Sequence, residues 1–175
     1  TEVGENARCK LGDKLILATK LSADVKEKSG IVAWDVSAPF NGDALAGTIC
    51  HHPLRGQGYE FDVPALQGDF VTDDAGTGFV HTAPGHGADD FALGKQNGIE
   101  VTDNITDDGK FRTAVPLFGG LPIFEEKGGK YEFGAGNFAP LKAIDEAGYL
   151  LAKSSIRHEY PHSWRSKAPL IFRTT

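Results

Sequence analysis

The chain has 175 residues, of which 40% are hydrophobic and 24% charged; this is typical of one folded domain and argues against wholesale disorder. Its formal net charge of −6 argues against indiscriminate binding of DNA or RNA, because phosphate neutralisation dominates non-specific affinity. Apolar runs are only a few residues long, which argues against a membrane span. Two lone cysteines argue against a zinc ribbon or a disulfide scaffold and favour a reducing compartment such as the cytoplasm.

The basic residues are concentrated near the end of the chain. Residues 153–175 hold five of them against one acid, Glu159, a local balance of +4, so the other 152 residues carry −10. The simplest interpretation of this basic segment is a solubilising edge or a face that meets another domain. Methionine is absent throughout, even at position 1, which predicts that the chain is a piece of a longer protein.

In chain order, the first half of the sequence predicts short strands around one helix. Glycines between short apolar segments are typical of strands joined by tight turns, and we expect strands at 14–19, 30–36, 44–51, 60–66 and 78–82. Between the first two strands, Ser22 is a candidate N-cap for a helix over 23–29 that ends at Gly30.

The second half of the chain predicts two helices and two strands. Adjacent acids favour the first turn of a helix and a glycine favours its end, which together predict a helix over 88–97. Similar reasoning predicts a helix over 138–147, with Asn137 as its N-cap. A polar stretch lies between these helices, and we expect strands over 119–124 and 149–158.

Short strands with a few small helices predict an α+β fold, mostly β, built on a bent sheet or a β-barrel. A doubly wound sheet is disfavoured, because strands and helices do not alternate regularly along the chain. The sequence contains no repeat and no low-complexity segment. We therefore expect residues 1–175 to form a single domain.

The most informative stretch, residues 73–91, reads DDAGTGFVHTAPGHGADDF. It combines four glycines, a proline, two histidines and two pairs of adjacent acids, which no ordinary core segment requires. A dinucleotide-binding turn at 76–78 is rejected because no helix follows it directly. The phosphate-binding P-loop pattern is also missing from the sequence.

Two non-catalytic interpretations of this stretch are open. His81 and His86 with a carboxylate are candidate metal ligands, but a proline–glycine turn separates the two imidazoles and no third-ligand cluster is evident, so we expect no metal. In the purely structural interpretation, His81 is an ordinary strand residue, and Asp89 and Asp90 only charge the N-terminus of a helix.

The catalytic interpretation places a cleft where the strand ends at Thr82 and the chain turns into the helix. Gly85 and Gly87 allow the backbone to approach a ligand closely. A carboxylate there can hold an ammonium group through a charge-assisted hydrogen bond, and an imidazole can bound a side-chain pocket or position water. The chain has no nucleophile elbow and no plausible catalytic Cys/His pair, so covalent catalysis has no candidate.

Three stretches of the chain form one pattern. The run GTGFVHTAPGHGADDF (76–91) is preceded directly by FDVPALQGDFVTDDAGTG (61–78), and the chain ends in YPHSWRSKAPLIFRTT (160–175). Together they resemble the editing (CP1) domain of the isoleucyl-tRNA synthetase family. The resemblance covers about residues 44–175 and implies that 158–175 is the segment that returns toward the synthetic core.

The resemblance implies an editing fold and the hydrolysis of valyl-tRNA(Ile), and also of valyl-adenylate, by water. A pocket sized for isoleucine cannot strongly exclude valine, and this family is itself the standard example of that weak discrimination and of its correction at a second site. The resemblance further implies that Asp90 anchors the α-ammonium group of the substrate and that His81 limits the side-chain pocket, so that isoleucine is refused. The supporting substrate-binding residues it implies are Thr82, Gly85, His86, Gly87 and Asp89.

The chain departs from the family in lacking the threonine-rich strand that lines the editing pocket and the ATP-binding motifs. The resemblance therefore implies that ATP and Mg²⁺ act elsewhere in the full-length synthetase, which attaches isoleucine to tRNA(Ile), and that this part uses no cofactor. The partners it implies are the 3′ end of tRNA(Ile) carrying valine and the remaining synthetase domains in cis. The alternatives are a non-catalytic tRNA-binding module, in which 153–175 grips RNA, and an unrelated metallohydrolase.

Overall fold

The computed structural model describes residues 2–4, 7–155, 157 and 159–173, and these form three α-helices and six short strands. The helices are α1 (Ser22–Lys28), α2 (Ala88–Gln96) and α3 (Ala135–Glu146). The strands are β1 (Glu2–Val3), β2 (Ile31–Ala33), β3 (Ile49–His51), β4 (Asp62–Pro64), β5 (Phe124–Lys127) and β6 (Lys130–Phe133). Two 3₁₀ turns, Thr19–Leu21 and Gly42–Leu45, precede α1 and β3.

The described strands form three separate two-stranded antiparallel sheets, in which β1 pairs with β2, β3 with β4, and β5 with β6. The predicted α+β class is confirmed. More of the described residues lie in helices than in strands, and these residues close no barrel. The prediction of a mostly β, barrel-like architecture is therefore not met by this part of the chain.

The predicted strands at 14–19 and 78–82 are not strands in the structure: the backbone is irregular apart from Thr19, which begins the 3₁₀ turn before α1. The two segments meet where the backbone N–H of Ala18 donates to the carbonyl oxygen of Thr77 at 2.9 Å, but no ladder continues from that bond. Gly78 adopts a φ of +86°, outside the extended region, so the backbone turns away at the point where a strand would begin.

The remaining predicted strands are shorter than expected. Those at 30–36, 44–51 and 60–66 reduce to the three-residue strands β2, β3 and β4, because a strand lasts only as long as its partner. The strand expected over 119–124 contributes only its last residue to β5. Of the strand expected over 149–158, residues 149–155 and 157 are not extended in any ladder, and residues 156 and 158 lie outside the described residues.

The β5–β6 hairpin was not expected from the sequence. Gly128 and Gly129 connect its strands with φ values of +60° and +77°. Two consecutive residues with positive φ suit the two-residue turns that match the twist of a hairpin, and glycine adopts them without strain. The signal was therefore present as a Gly-Gly pair between two short runs of β-forming residues.

All three predicted helices are confirmed, and each is followed by a glycine with φ near +70 to +80°, as helix C-termini favour: Gly30, Gly98 and Gly148. Two predicted N-caps are wrong. Ser22 lies inside α1 and its hydroxyl donates to Thr19 O at 2.8 Å, because a 3₁₀ turn runs directly into the helix. Asn137 lies in the first turn of α3 and its side-chain amide donates to Ile123 O at 2.6 Å.

The apolar core of the described residues is small. It comprises seven buried hydrophobic side chains: Leu21, Val25, Ile31, Leu54, Leu93, Ile105 and Phe118. The accessible surface of the chain is 12839 Å², whereas the usual scaling predicts about 8,300 Å² for a compact protein of this mass. Many large apolar side chains consequently remain in contact with solvent. Hydrogen bonds within turns and loops connect much of the remaining chain.

Gly134 is one position where such local packing is tight. It caps the N-terminus of α3, and a Cβ on it would overlap the carbonyl oxygen of Pro122. Because that obstacle is backbone, we expect Gly134→Ala to destabilise the fold by roughly 1–3 kcal/mol. Urea unfolding followed by circular dichroism measures the change. Gly42→Ala is the control, since a Cβ at Gly42 meets open space, and equal stability of the two variants would contradict the prediction.

Candidate functional site

The glycine-rich stretch 73–91 is fixed at its start by contacts with the N-terminal part of the chain. The ammonium group of Lys20 lies 3.1 Å from a carboxylate oxygen of Asp73. A Cβ on Gly78 would lie only 2.5 Å from the Cβ of Ala18, so glycine is needed for this approach as well as for its positive φ. The stretch is therefore held against residues 18–20 before it reaches His81.

The turn at Ala83–His86 and the helix α2 are joined by the carboxylate of Asp90. The backbone N–H of His86 donates to Ala83 O at 2.9 Å and closes the turn. Asp90, at the third position of α2, folds back so that Oδ2 accepts a hydrogen bond from the backbone N–H of Ala83 at 3.1 Å. A Cβ on Gly87, the N-cap of α2, would lie 2.8 Å from that oxygen. Asp90 is thus a positioned, half-buried carboxylate at the positive end of a helix.

His86 connects this turn to the C-terminal part of the chain. Its Nδ1–H donates to the carbonyl oxygen of Phe172 at 2.6 Å. Between the two segments lies an open cleft of about 370 Å³, lined by Pro84, Gly85, His86, Gly87, Ala88, Phe91, Ile171, Phe172 and Arg173. Residues of the glycine-rich turn and of the C-terminal segment therefore line the same cleft.

Arg173 holds the other side of the C-terminal segment. Its guanidinium donates to Ile105 O at 3.2 Å and pairs with Asp107 and, at 3.6 Å, with Asp103. The hydrogen bond from Arg112 to Asp103, together with the charges of Arg112 and Arg173, lowers the pKa of that carboxyl. Residues 171–173 are consequently anchored between the glycine-rich turn and the 103–112 loop.

His81 lies in a different environment from His86. Its side chain is exposed, and its charge helps to lower the pKa of His52, an effect for which the burial of His52 is the larger cause. The ring of His52 stacks on Tyr59 with a centroid separation of 4.5 Å and an interplanar angle of 11°. The edge of Phe61 approaches the same imidazole, with a centroid separation of 5.2 Å. His81 thus acts electrostatically on one ring of an aromatic cluster.

This aromatic cluster (His52, Tyr59 and Phe61) is anchored on both sides. Nδ1 of His52 accepts a hydrogen bond from the backbone N–H of Leu54 at 3.0 Å, which leaves the proton of the neutral ring on Nε2. The hydroxyl of Tyr59 donates to Pro116 O at 2.9 Å, and burial raises the pKa of Tyr59. The cluster was not predicted from the sequence, because its three rings follow no regular spacing.

The lowered pKa of His52 makes a testable statement about pH. Burial, and to a smaller extent the charge of His81, make the charged imidazole of His52 less favourable in the folded than in the unfolded chain. The free energy of unfolding is therefore highest above the pKa of His52 in the unfolded chain, about 6.5, and decreases as the pH falls from there through the lower pKa of the folded state. We expect the pKa of His52, followed through its ring-proton chemical shift, to lie below 6.5 and to rise in His81→Gln. A pKa of His52 that does not respond to His81→Gln would contradict the proximity of the two rings.

The predicted site residues therefore fall into two groups. Gly85, His86 and Gly87 line the cleft, whereas His81 influences His52 of the aromatic cluster electrostatically. Within the described ranges the cleft lining includes neither His81 nor Asp90. Thr82 is half-buried just before the turn, and Asp89 is exposed on α2. In the part of the chain that the structure describes, no three His, Cys, Asp or Glu side chains are grouped so as to hold a metal ion.

Comparison with known proteins agrees with the pattern of residues 61–91 and 160–175. The chain is 45% identical over 175 residues to the isoleucine–tRNA ligase of Gluconobacter oxydans, 46% identical over 170 residues to that of Caulobacter vibrioides, and 41% identical over 172 residues to that of Haemophilus ducreyi. The matches cover 99%, 95% and 98% of this chain. The chain is homologous to a segment of isoleucine–tRNA ligases.

The match confirms the resemblance to isoleucyl-tRNA synthetases and extends it beyond residues 44–175 to nearly the whole chain. The chain spans only about 17–18% of the length of these ligases, so the activity of the whole enzyme does not transfer to it by similarity alone. No protein-family model matches the chain. Among its described residues, no helix is long and apolar enough to cross a membrane.

Proposed function

We propose that this chain is the editing (CP1) part of an isoleucyl-tRNA synthetase and that it hydrolyses valyl-tRNA(Ile), with valyl-adenylate as a second substrate and water as the nucleophile. The observation that carries the proposal is the similarity to isoleucine–tRNA ligases along almost the entire chain, including the glycine-rich stretch 76–91. The full-length enzyme would attach isoleucine to tRNA(Ile) in the cytoplasm, using ATP and Mg²⁺ bound by other domains.

The geometry of Asp90 supports its role in this proposal. One carboxylate oxygen is fixed by the N–H of Ala83, which orients the group without neutralising it. In this proposal the other oxygen accepts a hydrogen bond from the α-ammonium group of the valyl ester, and charge-assisted bonds of this kind are about twice as strong as neutral ones. Gly85 and Gly87 would let the substrate approach the backbone of the turn closely.

The setting of His81 supports a steric role. The ring of His52, whose pKa the charge of His81 lowers, stacks on Tyr59, and the hydroxyl of Tyr59 is anchored on Pro116 O. If His81 packs against these rings when substrate is bound, it can exclude a larger side chain, because a pocket that cannot relax does not admit an extra methyl group. Water would attack the ester carbonyl, with no covalent intermediate on the protein.

A direct test uses this chain extended at its N-terminus to include the family's threonine-rich strand. We expect the extended protein to release valine from valyl-tRNA(Ile) faster than the spontaneous rate and to leave isoleucyl-tRNA(Ile) largely intact. The same extended protein with Asp90→Asn is the matched control. Hydrolysis at the spontaneous rate by a folded extended protein would contradict the proposal.

A non-catalytic tRNA-binding module remains the second candidate, and one observation favours it. The basic segment 153–175 carries a balance of +4 next to an acidic body, so RNA could bind there without any reaction. In that case the extended protein would retain valyl-tRNA(Ile) on a filter while the ester decays only at its spontaneous rate.

A further inference from the structure

His86 makes a hydrogen bond unlike those of the other imidazoles in the described part of the chain. Its Nδ1–H donates to the carbonyl oxygen of Phe172, 86 residues along the chain, at 2.6 Å. The ring hydrogen bonds of His51, His52 and His162 reach residues only two to four positions away. We call the bond between His86 and Phe172 the clasp, because it joins two segments that are distant in sequence.

The chemistry of the clasp determines which ring nitrogen is engaged. A carbonyl oxygen only accepts hydrogen bonds, so Nδ1 of His86 carries the proton and Nε2 of the neutral ring is left as an acceptor. Nδ1 is the ring nitrogen nearer the backbone. Asparagine and glutamine both carry an amide N–H donor, but asparagine places it near the position of Nδ1 and glutamine near that of Nε2. Substitution by these two residues therefore distinguishes the two nitrogens.

The clasp is the outer link of a hydrogen-bonded path that ends at Asp90. The backbone N–H of His86 donates to Ala83 O at 2.9 Å, and the backbone N–H of Ala83 donates to Asp90 Oδ2 at 3.1 Å. Pro84, inside the same turn, packs so closely on α2 that a Cβ on Gly94 would lie 2.7 Å from its Cγ. A shift of the turn at His86 therefore moves the N–H donor that orients the carboxylate of Asp90.

The segment that His86 binds is itself held in place. Arg173 follows Phe172 directly, and its guanidinium donates to Ile105 O at 3.2 Å. It also pairs with two carboxylates of the 103–112 loop. The Arg173 side chain is 21% exposed, the lowest value for a cation in the ion pairs of the described residues. The clasp consequently connects the glycine-rich turn to an anchored part of the fold.

We infer that His86 is a positioning residue of the proposed editing reaction. The clasp fixes the 83–87 turn and, through that turn, the carboxylate of Asp90. The inference rests on the proposed function, in which Asp90 binds the ammonium group of the valyl ester. It gives His86 an action through Asp90, in place of the direct contact with substrate that the resemblance implies. A displaced binding group lowers the rate, because the substrate is no longer held in its reactive geometry.

The test compares three variants of His86 in the full-length synthetase and measures deacylation of purified valyl-tRNA(Ile). We expect His86→Ala to lower the rate about 3- to 10-fold, as the loss of one hydrogen bond does. His86→Asn should stay within about 2-fold of the wild type, because its amide can still donate to Phe172 O. His86→Gln should be as slow as His86→Ala, because its amide lies one carbon farther from the backbone. Since the side chain of His86 is exposed, none of these changes leaves a buried cavity.

Hydrogen exchange of the same proteins shows whether the clasp holds both segments. His86→Ala should speed amide exchange in peptides covering 83–91 and in peptides covering 170–173, and His86→Asn should restore both. The control is Asn97→Ala, which removes a side-chain hydrogen bond of 2.9 Å to Leu93 O at the other end of α2. This control should speed exchange only at that end of the helix and leave deacylation unchanged.

Three outcomes would overturn the inference. A rate restored by glutamine and not by asparagine would show that His86 acts through Nε2 on the substrate. Equal rates in all three variants would remove the role of the clasp, as would exchange that rises in only one of the two segments. A wild-type synthetase that leaves valyl-tRNA(Ile) intact would instead refute the proposed function of the chain, and the exchange measurement would then decide on the clasp by itself.

Discussion

Asp90→Asn in the full-length synthetase is expected to slow hydrolysis of valyl-tRNA(Ile) by about 30-fold or more while isoleucine activation stays close to normal. Removing one partner of a desolvated, hydrogen-bonded charge pair typically costs 2–5 kcal/mol, and the lower end of that range sets the fold-change. Asparagine keeps an oxygen that can accept the hydrogen bond from Ala83 N–H, so the turn survives while the negative charge is lost. Deacylation of purified valyl-tRNA(Ile) measures the effect.

Two further variants make this result specific. Asp90→Ala removes the charge and also the contact with Ala83, so it should abolish editing and additionally loosen the 83–87 turn. Asp89→Asn changes an exposed neighbour that points about 100° away around α2, and it should affect the reaction much less. A normal editing rate in Asp90→Asn, or an equal loss in Asp89→Asn, would refute the assignment of the ammonium site to Asp90.

His81→Ala is expected to let the synthetase hydrolyse its own correct product, isoleucyl-tRNA(Ile). If the imidazole fills the space that the additional methyl of isoleucine requires, its removal relieves an overpacking cost of roughly 1–3 kcal/mol. The ratio of isoleucyl to valyl ester hydrolysis should then rise by about 5- to 150-fold, which corresponds to that energy range. Side-by-side deacylation of the two charged tRNAs gives the ratio.

A general-base role for His81 predicts a different pattern. Loss of a base would slow both esters by roughly 10²–10⁴-fold and leave their ratio unchanged. His81→Phe separates the two roles, because phenylalanine restores the bulk of the ring but cannot accept a proton. Retained discrimination with near-normal valyl hydrolysis in His81→Phe supports steric exclusion, whereas depressed rates with an unchanged ratio in both variants rule it out.

The sequence located the helices because their signals are local. Adjacent acids at the start of α2 and a glycine after each helix act within a few residues of the backbone they stabilise. The chemistry-bearing stretch 73–91 was identifiable for a similar reason, since its unusual residue types lie next to one another. Similarity to isoleucine–tRNA ligases then agreed with what that stretch indicated.

The strands were predicted less well because a strand depends on a distant partner. Segments 14–19 and 78–82 have strand-like composition, but no described neighbour forms a ladder with them. The β5–β6 hairpin forms because its two strands are separated by only two residues, Gly128 and Gly129. The presence of a ladder partner, rather than residue preference, separated the strands that formed from those that did not; β1 and β2 pair even though α1 lies between them in the chain.

By itself, the sequence determined the helices, the α+β class and the set of residues available for chemistry, all of which follow from interactions between near neighbours. Only the tertiary structure decided which of them meet: His86 bonds to Phe172, 86 residues away, and the ring of His52 stacks on that of Tyr59. It also turned one oxygen of Asp90 toward Ala83. Such contacts depend on how loops of irregular backbone close, and because no periodic pattern encodes loop closure, residue spacing could not predict them.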